Sequence, residues 1–77
     1  WATKSTALAC ENLMLAFRAH GFDTCPLEGF DEVRVRKVLG LARNRHVVMI
    51  VAAGKRAQDG VYGPQFRFNS ERFVVFR

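Results

Sequence analysis

Apolar positions in the first twenty residues do not repeat as a single helical stripe. Ala7, Leu8, Ala9, Leu13, Met14, Leu15, Ala16 and Phe17 together cover most of the circumference of a helix predicted over residues 3–20. That distribution belongs to a helix covered on nearly all sides. Thr3 or Ser5 offers a hydroxyl for the N-cap, and Gly21 supplies the left-handed residue that commonly follows a helix end. Arg18 and His20 put basic groups in the last turn, where they suit the helix dipole. Seventy-seven residues are too little material to wrap such a helix. Another polypeptide segment, or a second subunit, is therefore expected to cover part of it.

Beyond Gly21 the pattern changes. Residues 22–24 read as a short extended piece, and Pro26 confines the adjoining segment to a sheet edge or a turn. Residues 25–31 are expected to form that turn. Asp31 caps a second helix over residues 32–39, closed by Gly40, with Val35, Val38 and Leu39 on its apolar face and Arg34, Arg36 and Lys37 toward water. Residues 46–53 form an unbroken, β-branched-rich apolar run, the signature of a strand covered on both faces. A polar loop over 55–65 comes next, punctuated by Gly60, Gly63 and Pro64. Residues 66–68 and 72–77 look strand-like, and a terminal apolar strand can add to a distant sheet edge, including a partner's. No internal repeat divides the chain. The expectation is a single partial α+β domain over residues 1–77.

Composition narrows the function classes. The chain is 49% hydrophobic with seven Phe, like an ordinary soluble protein. Cys10 and Cys25 have no metal-type spacing and are too few for a disulfide framework, which fits a reducing, cytoplasmic setting. The longest apolar stretch, 7–17, is broken by Glu11 and Asn12 and is too short to cross a bilayer, so no membrane role is expected. The net charge of +5 comes from dispersed Lys and Arg. Without a basic run or an aromatic-interleaved motif, it gives nucleic-acid binding no support. The chain starts at Trp1 without a signal peptide, which reads as the C-terminal part of something longer or one half of an obligate assembly.

Side-chain catalysts are scarce. Gly54, Gly60 and Gly63 make neither a dinucleotide fingerprint nor a P-loop, and no zinc pattern or paired carboxylates occur. His20 and Cys25 lie close in sequence with nothing to complete a catalytic pair, and His46 at a strand start reads as structural. An enzyme so poor in reactive side chains takes its chemistry from a cofactor.

The order of features resembles the C-terminal part of the FMN-dependent nitroreductase family. The resemblance runs through Ser5-Thr6-Ala7-Leu8-Ala9-Cys10-Glu11-Asn12-Leu13-Met14-Leu15-Ala16, Gly21-Phe22 and Pro26-Leu27-Glu28-Gly29-Phe30-Asp31. It continues in Val38-Leu39-Gly40-Leu41, the strand closing in Gly54, and Tyr62-Gly63-Pro64 through Arg67. The resemblance implies an intertwined α+β homodimer with FMN at the subunit interface. It also implies hydride transfer from NADH or NADPH through flavin N5 to a nitroaromatic, quinone or similar acceptor. Pro26, Leu27, Glu28 and Gly29 would lie along the isoalloxazine, with a main-chain N–H at Glu28–Gly29 toward N5. A glycine there keeps side-chain bulk away from the approach.

In some relatives two basic residues, with one residue between them, hold the FMN phosphate; the matching positions are Gln65 and Arg67, of which only Arg67 keeps the charge. The family's N-terminal basic segment and the residues at the pyrimidine edge have no counterpart in these 77 residues. Activity is therefore expected to need a complementary N-terminal part. The competing reading is a non-catalytic remnant that dimerises through the apolar helix and the terminal strand.

Overall fold

Two helices, two strands and a short 3-10 turn succeed one another in a computed structural model that describes residues 1–77: α1 (Ala2–Ala19), β1 (Asp23–Leu27), α2 (Glu32–Leu39), β2 (Ile50–Gly54) and the turn Ser70–Arg72. The expected α+β class holds. Helix α1 starts one residue earlier than the pattern indicates. Trp1 is its N-cap and brings no side-chain hydrogen bond, so neither Thr3 nor Ser5 caps it. Both lie inside the helix, and Thr6 Oγ1 donates to the Ala2 carbonyl at 2.9 Å.

The two helices end the same way. Phe22 N–H donates to the Phe17 carbonyl at 2.9 Å and Gly21 N–H to that of Arg18 at 3.0 Å; Leu41 N–H and Gly40 N–H repeat this with Arg36 and Lys37. Each pair forms a Schellman motif, which needs a left-handed residue at its corner. Gly21 at φ 84° and Gly40 at φ 66° supply it. The apolar contact that accompanies the motif is the edge-to-face pair Phe17–Phe22, with centroids 6.3 Å apart.

Strands β1 and β2 pair antiparallel, with Asp23 opposite Gly54, Cys25 opposite Ala52 and Leu27 opposite Ile50. Residues 25–27 are therefore strand, and the expected seven-residue turn shrinks to the few residues after Leu27. Pro26 sits within the ladder opposite Val51, as an edge strand permits where the missing N–H is not asked to bond. The second strand is also shorter than the apolar run 46–53, because only the part facing β1 has a ladder. Val47, Val48 and Met49 are half-buried without regular pairing.

The strands expected at 66–68 and 72–77 do not form. Instead the Asn69 side chain accepts from Glu71 N–H and opens the turn Ser70–Arg72, while the Arg72 guanidinium sits 4.3 Å from the centre of the Phe68 ring. A β-prone sequence becomes a strand only beside another strand, and no strand of this chain lies next to it.

No residue is buried, so the chain by itself covers neither the helix 3–20 nor the run 46–53, in line with the expectation that these 77 residues are too little material to wrap them. One stripe of α1, Ala7, Cys10, Met14 and Phe17, is half-covered, while Leu8, Leu13 and Leu15 stand in the open. On α2, Val38 and Leu39 are exposed; the half-covered residues are Glu32, Val35 and Arg36, so Arg36 does not face water as its pattern implied. The radius of gyration is 16.2 Å, against about 11.5 Å for a compact chain of this length. The accessible surface is 7451 Å², where a folded monomer of this mass exposes about 4,700 Å².

Candidate functional site

The segment with the most constrained ends is the turn Glu28-Gly29-Phe30, which leaves β1 at Leu27 and enters α2 at Asp31. At its exit, one oxygen of Asp31 accepts the backbone N–H groups of Val33 (3.1 Å) and Arg34 (3.3 Å), satisfying donors that a helix start otherwise leaves unpaired. At its entrance, Leu27 is held opposite Ile50. Gly29 has no steric reason of its own. Its backbone is not left-handed, and a Cβ added there would meet no atom within 4 Å.

One residue past the cap, Glu32 gathers three donors on a single oxygen. His46 Nδ1 lies at 2.8 Å, Arg36 Nη1 at 2.9 Å and the Val47 N–H at 3.1 Å. As a hydrogen bond, the His46 contact places the proton on Nδ1. Arg36 Nη1 also donates to the Arg45 carbonyl at 3.3 Å. The Glu32 carboxyl is held below its ordinary pKa, chiefly by the Val47 N–H and then by His46, against a partial desolvation that opposes them. An open cavity of about 380 Å³ lies here, its walls including Ala7, Glu28, Phe30, Glu32 and His46.

A second ionic cluster lies at the opposite end of the strand pair. Asp23 accepts from Arg56 Nε at 2.6 Å and from Arg18 Nη1 at 3.1 Å, joining α1, β1 and the loop after β2. Arg56 is the larger cause of its lowered pKa.

The expected site residues divide into two groups. Pro26, Leu27, Glu28 and Gly29 are consecutive, three of them at or beyond the end of the strand pair. Gln65 and Arg67 lie on the exposed irregular segment after β2, where neither makes a hydrogen bond or an ion pair and no shared cavity joins them to the turn. No group of His, Cys, Asp and Glu is arranged to hold a metal ion, and no helix is long and apolar enough to cross a membrane. Residue types alone mark neither Glu32 as an anchor nor His46 as more than structural. Fourteen residues separate them, and no local spacing announces the contact. The site thus offers backbone groups and one anchored carboxylate, with no nucleophile and base pair.

Comparison with known proteins gives this arrangement a setting. The pattern of the nitroreductase family matches residues 1–55. Over all 77 residues the chain is 35% identical to the NADH dehydrogenase of Thermus thermophilus, of which it covers 37%. Over 58 residues, 75% of the chain, it is 41% identical to protein DrgA of a Synechocystis strain, of which it covers 28%. Among solved structures, a Bacillus subtilis protein assigned as nitroreductase ydfN superposes with a TM-score of 0.90 at 30% identity, over 99% of this chain and 37% of its own. A chain from Exiguobacterium sibiricum, assigned as a nitroreductase in complex with FMN, superposes with a TM-score of 0.83 at 32% identity, over 97% and 35%. The chain spans roughly a third of the length of the relatives it matches.

Proposed function

The chain belongs to the nitroreductase family, and on that premise we propose that it forms one wall of an FMN site in an NAD(P)H-dependent oxidoreductase. The observation that carries this reading is Gly29, a glycine that neither backbone conformation nor packing requires. Open space in front of a main-chain N–H, on a turn anchored at both ends, suits a flat ring laid against it. When bound, FMN supplies hydride transfer, taking hydride from NADH or NADPH and passing it to a nitroaromatic, quinone or similar acceptor.

The residues of this chain orient and shield. Pro26 and Leu27 offer apolar surface along the ring, and a backbone N–H at Glu28–Gly29 donates toward N5 without adding a competing acid. Arg67, with one residue between it and Gln65, would hold the phosphate; its guanidinium is free of any partner in the chain and can bind an anion as a fork.

Residues 1–77 act as a single partial domain whose remaining surface is covered by a complementary N-terminal segment, a second subunit, or both. The surplus over a compact monomer is about 2,700 Å² on this chain's side alone, so covering it would bury about 5,400 Å² in total, at the upper end of obligate interfaces. Leu8, Leu13 and Leu15 on α1, together with Phe73, Val75 and Phe76 of the tail, supply much of its apolar part.

A second reading, a non-catalytic module that dimerises through α1 and the terminal segment, draws on the neutral Gln65 at a phosphate position. The full-length protein that carries these residues distinguishes the two by its visible spectrum. A yellow preparation, or one that turns yellow on adding FMN and bleaches with NADH or NADPH, supports the flavin reading. A colourless protein that takes up no FMN overturns it.

A further inference from the structure

Residues 28–31 form a short bridge whose two ends rest on the same neighbouring segment. Leu27 pairs with Ile50 at one end. At the other, Glu32 accepts the N–H of Val47 only three residues before Ile50. The stretch Val47–Ile50 therefore acts as a splint, and the bridge between Leu27 and Glu32 is closed over it. Without the Glu32 contact, the far end of the turn would be tied to that segment only through the Arg36 bond to the Arg45 carbonyl, and α2 would be freer to carry Glu28 and Gly29 away from the strand.

We infer that Glu32 is a positioning residue for the flavin-facing turn: its carboxylate, held by Val47 N–H, His46 and Arg36, sets where the Glu28–Gly29 backbone stands relative to N5. The inference rests on the FMN reading above. An i,i+4 pair with Arg36 on an exposed helix would by itself contribute little. The contact with Val47 differs because it spans fifteen residues, joins two elements and satisfies a half-covered backbone donor. Removing its acceptor leaves that N–H, on the wall of an open cavity, to water, and loses the bond that ties α2 to this segment. His46 and Arg36 aim the carboxylate.

The test compares two flavins that differ only at the atom in question. In 5-deaza-FMN a C–H replaces N5, so it cannot accept the backbone donor, while the rest of the ring and the phosphate are the same. Dissociation constants for both are measured on the full-length protein and on Glu32→Ala and Glu32→Gln. The unaltered protein should prefer FMN. Glu32→Ala should reduce that preference by about fivefold, the loss of roughly one hydrogen bond, with binding of 5-deaza-FMN nearly unchanged.

Glu32→Gln keeps an acceptor for Val47 but loses the charge that holds Arg36, and should reduce the preference by about twofold. It decides the matter if the alanine variant does not fold. Equal weakening of both flavins marks a merely structural role and overturns the inference, as does an unchanged preference in the variants or no preference in the unaltered protein. A full-length protein that binds neither flavin overturns the FMN reading, and the inference falls with it.

Discussion

Arg56 Nε donates to Asp23 Oδ2 across 2.6 Å, tying the loop that leaves β2 to the first residue of β1. Asp23 takes a second guanidinium, that of Arg18, at 3.1 Å on its other oxygen. Glu32 does the corresponding work at the far end of the strand pair. Each carboxylate crosslinks elements that the chain's sparse apolar packing holds only loosely.

The two carboxylates carry a pH signature with a definite sign. Both have folded-state pKa values below their ordinary ones, Asp23 chiefly through its bond from Arg56 and Glu32 chiefly through the Val47 N–H. A depressed folded value means that the stabilisation is fully present above the unfolded value and is lost as pH falls through the folded one. Urea midpoints of the full-length protein should therefore be flat near neutrality and fall from roughly pH 4 downward. Asp23→Asn and Glu32→Gln should each lower the neutral midpoint and make the acid limb shallower. An acid limb unchanged in both variants would contradict these assignments.

Gly29→Ala separates fold from ligand. Its Cβ meets nothing and its backbone needs no positive φ, so thermal stability without flavin should stay within about 0.5 kcal/mol. FMN binding should weaken by about tenfold, because the methyl group occupies space that the ring requires. Calorimetric titration alongside a melting curve checks both halves.

Gln65→Lys adds a second charge beside Arg67 at the proposed phosphate site. It should tighten FMN several-fold and leave riboflavin, which lacks the phosphate, unaffected. The gain should shrink as salt is raised. A gain shared equally by riboflavin would place residue 65 away from the phosphate.

Gly40→Ala tests the helix ends. At φ 66° an alanine is strained, and the variant should lose about 1 kcal/mol. Asp31→Ala removes the acceptor for two N–H groups and should cost a similar amount. Denaturant titrations of the two single variants and the double variant should show how far these costs add, since they lie at opposite ends of one short helix.

Resemblance apart, the far end of the turn after Leu27 is locatable from residue types alone because it is set locally, at the Asp31 cap. Asp31 and Gly40 delimit α2 within a few residues of themselves, and Gly21 does the same for α1 through the Schellman geometry. Pro26 falls in the strand rather than the expected turn because a ban on one N–H bond does not say whether the residue leaves the ladder. Only the pairing with Val51 decides that.

Glu32 with His46, and Asp23 with Arg56, are invisible in the sequence for a related reason. Charged residues on a helix start and in a loop look alike whether they are solvated or crosslinked, and what distinguishes them is a contact over 14 or 33 residues. The tail 66–77 shows the same limit from the other side, since its β-prone residues have no strand beside them in this chain. By itself, then, the sequence determined both ends of α2, the end of α1, the α+β character, and a helix too apolar to stand alone, all of them properties set by neighbours along the chain. Tertiary structure alone decided which carboxylates anchor the turn, where each strand stops, and how much surface is left for a partner, because pairing and burial depend on what lies across space.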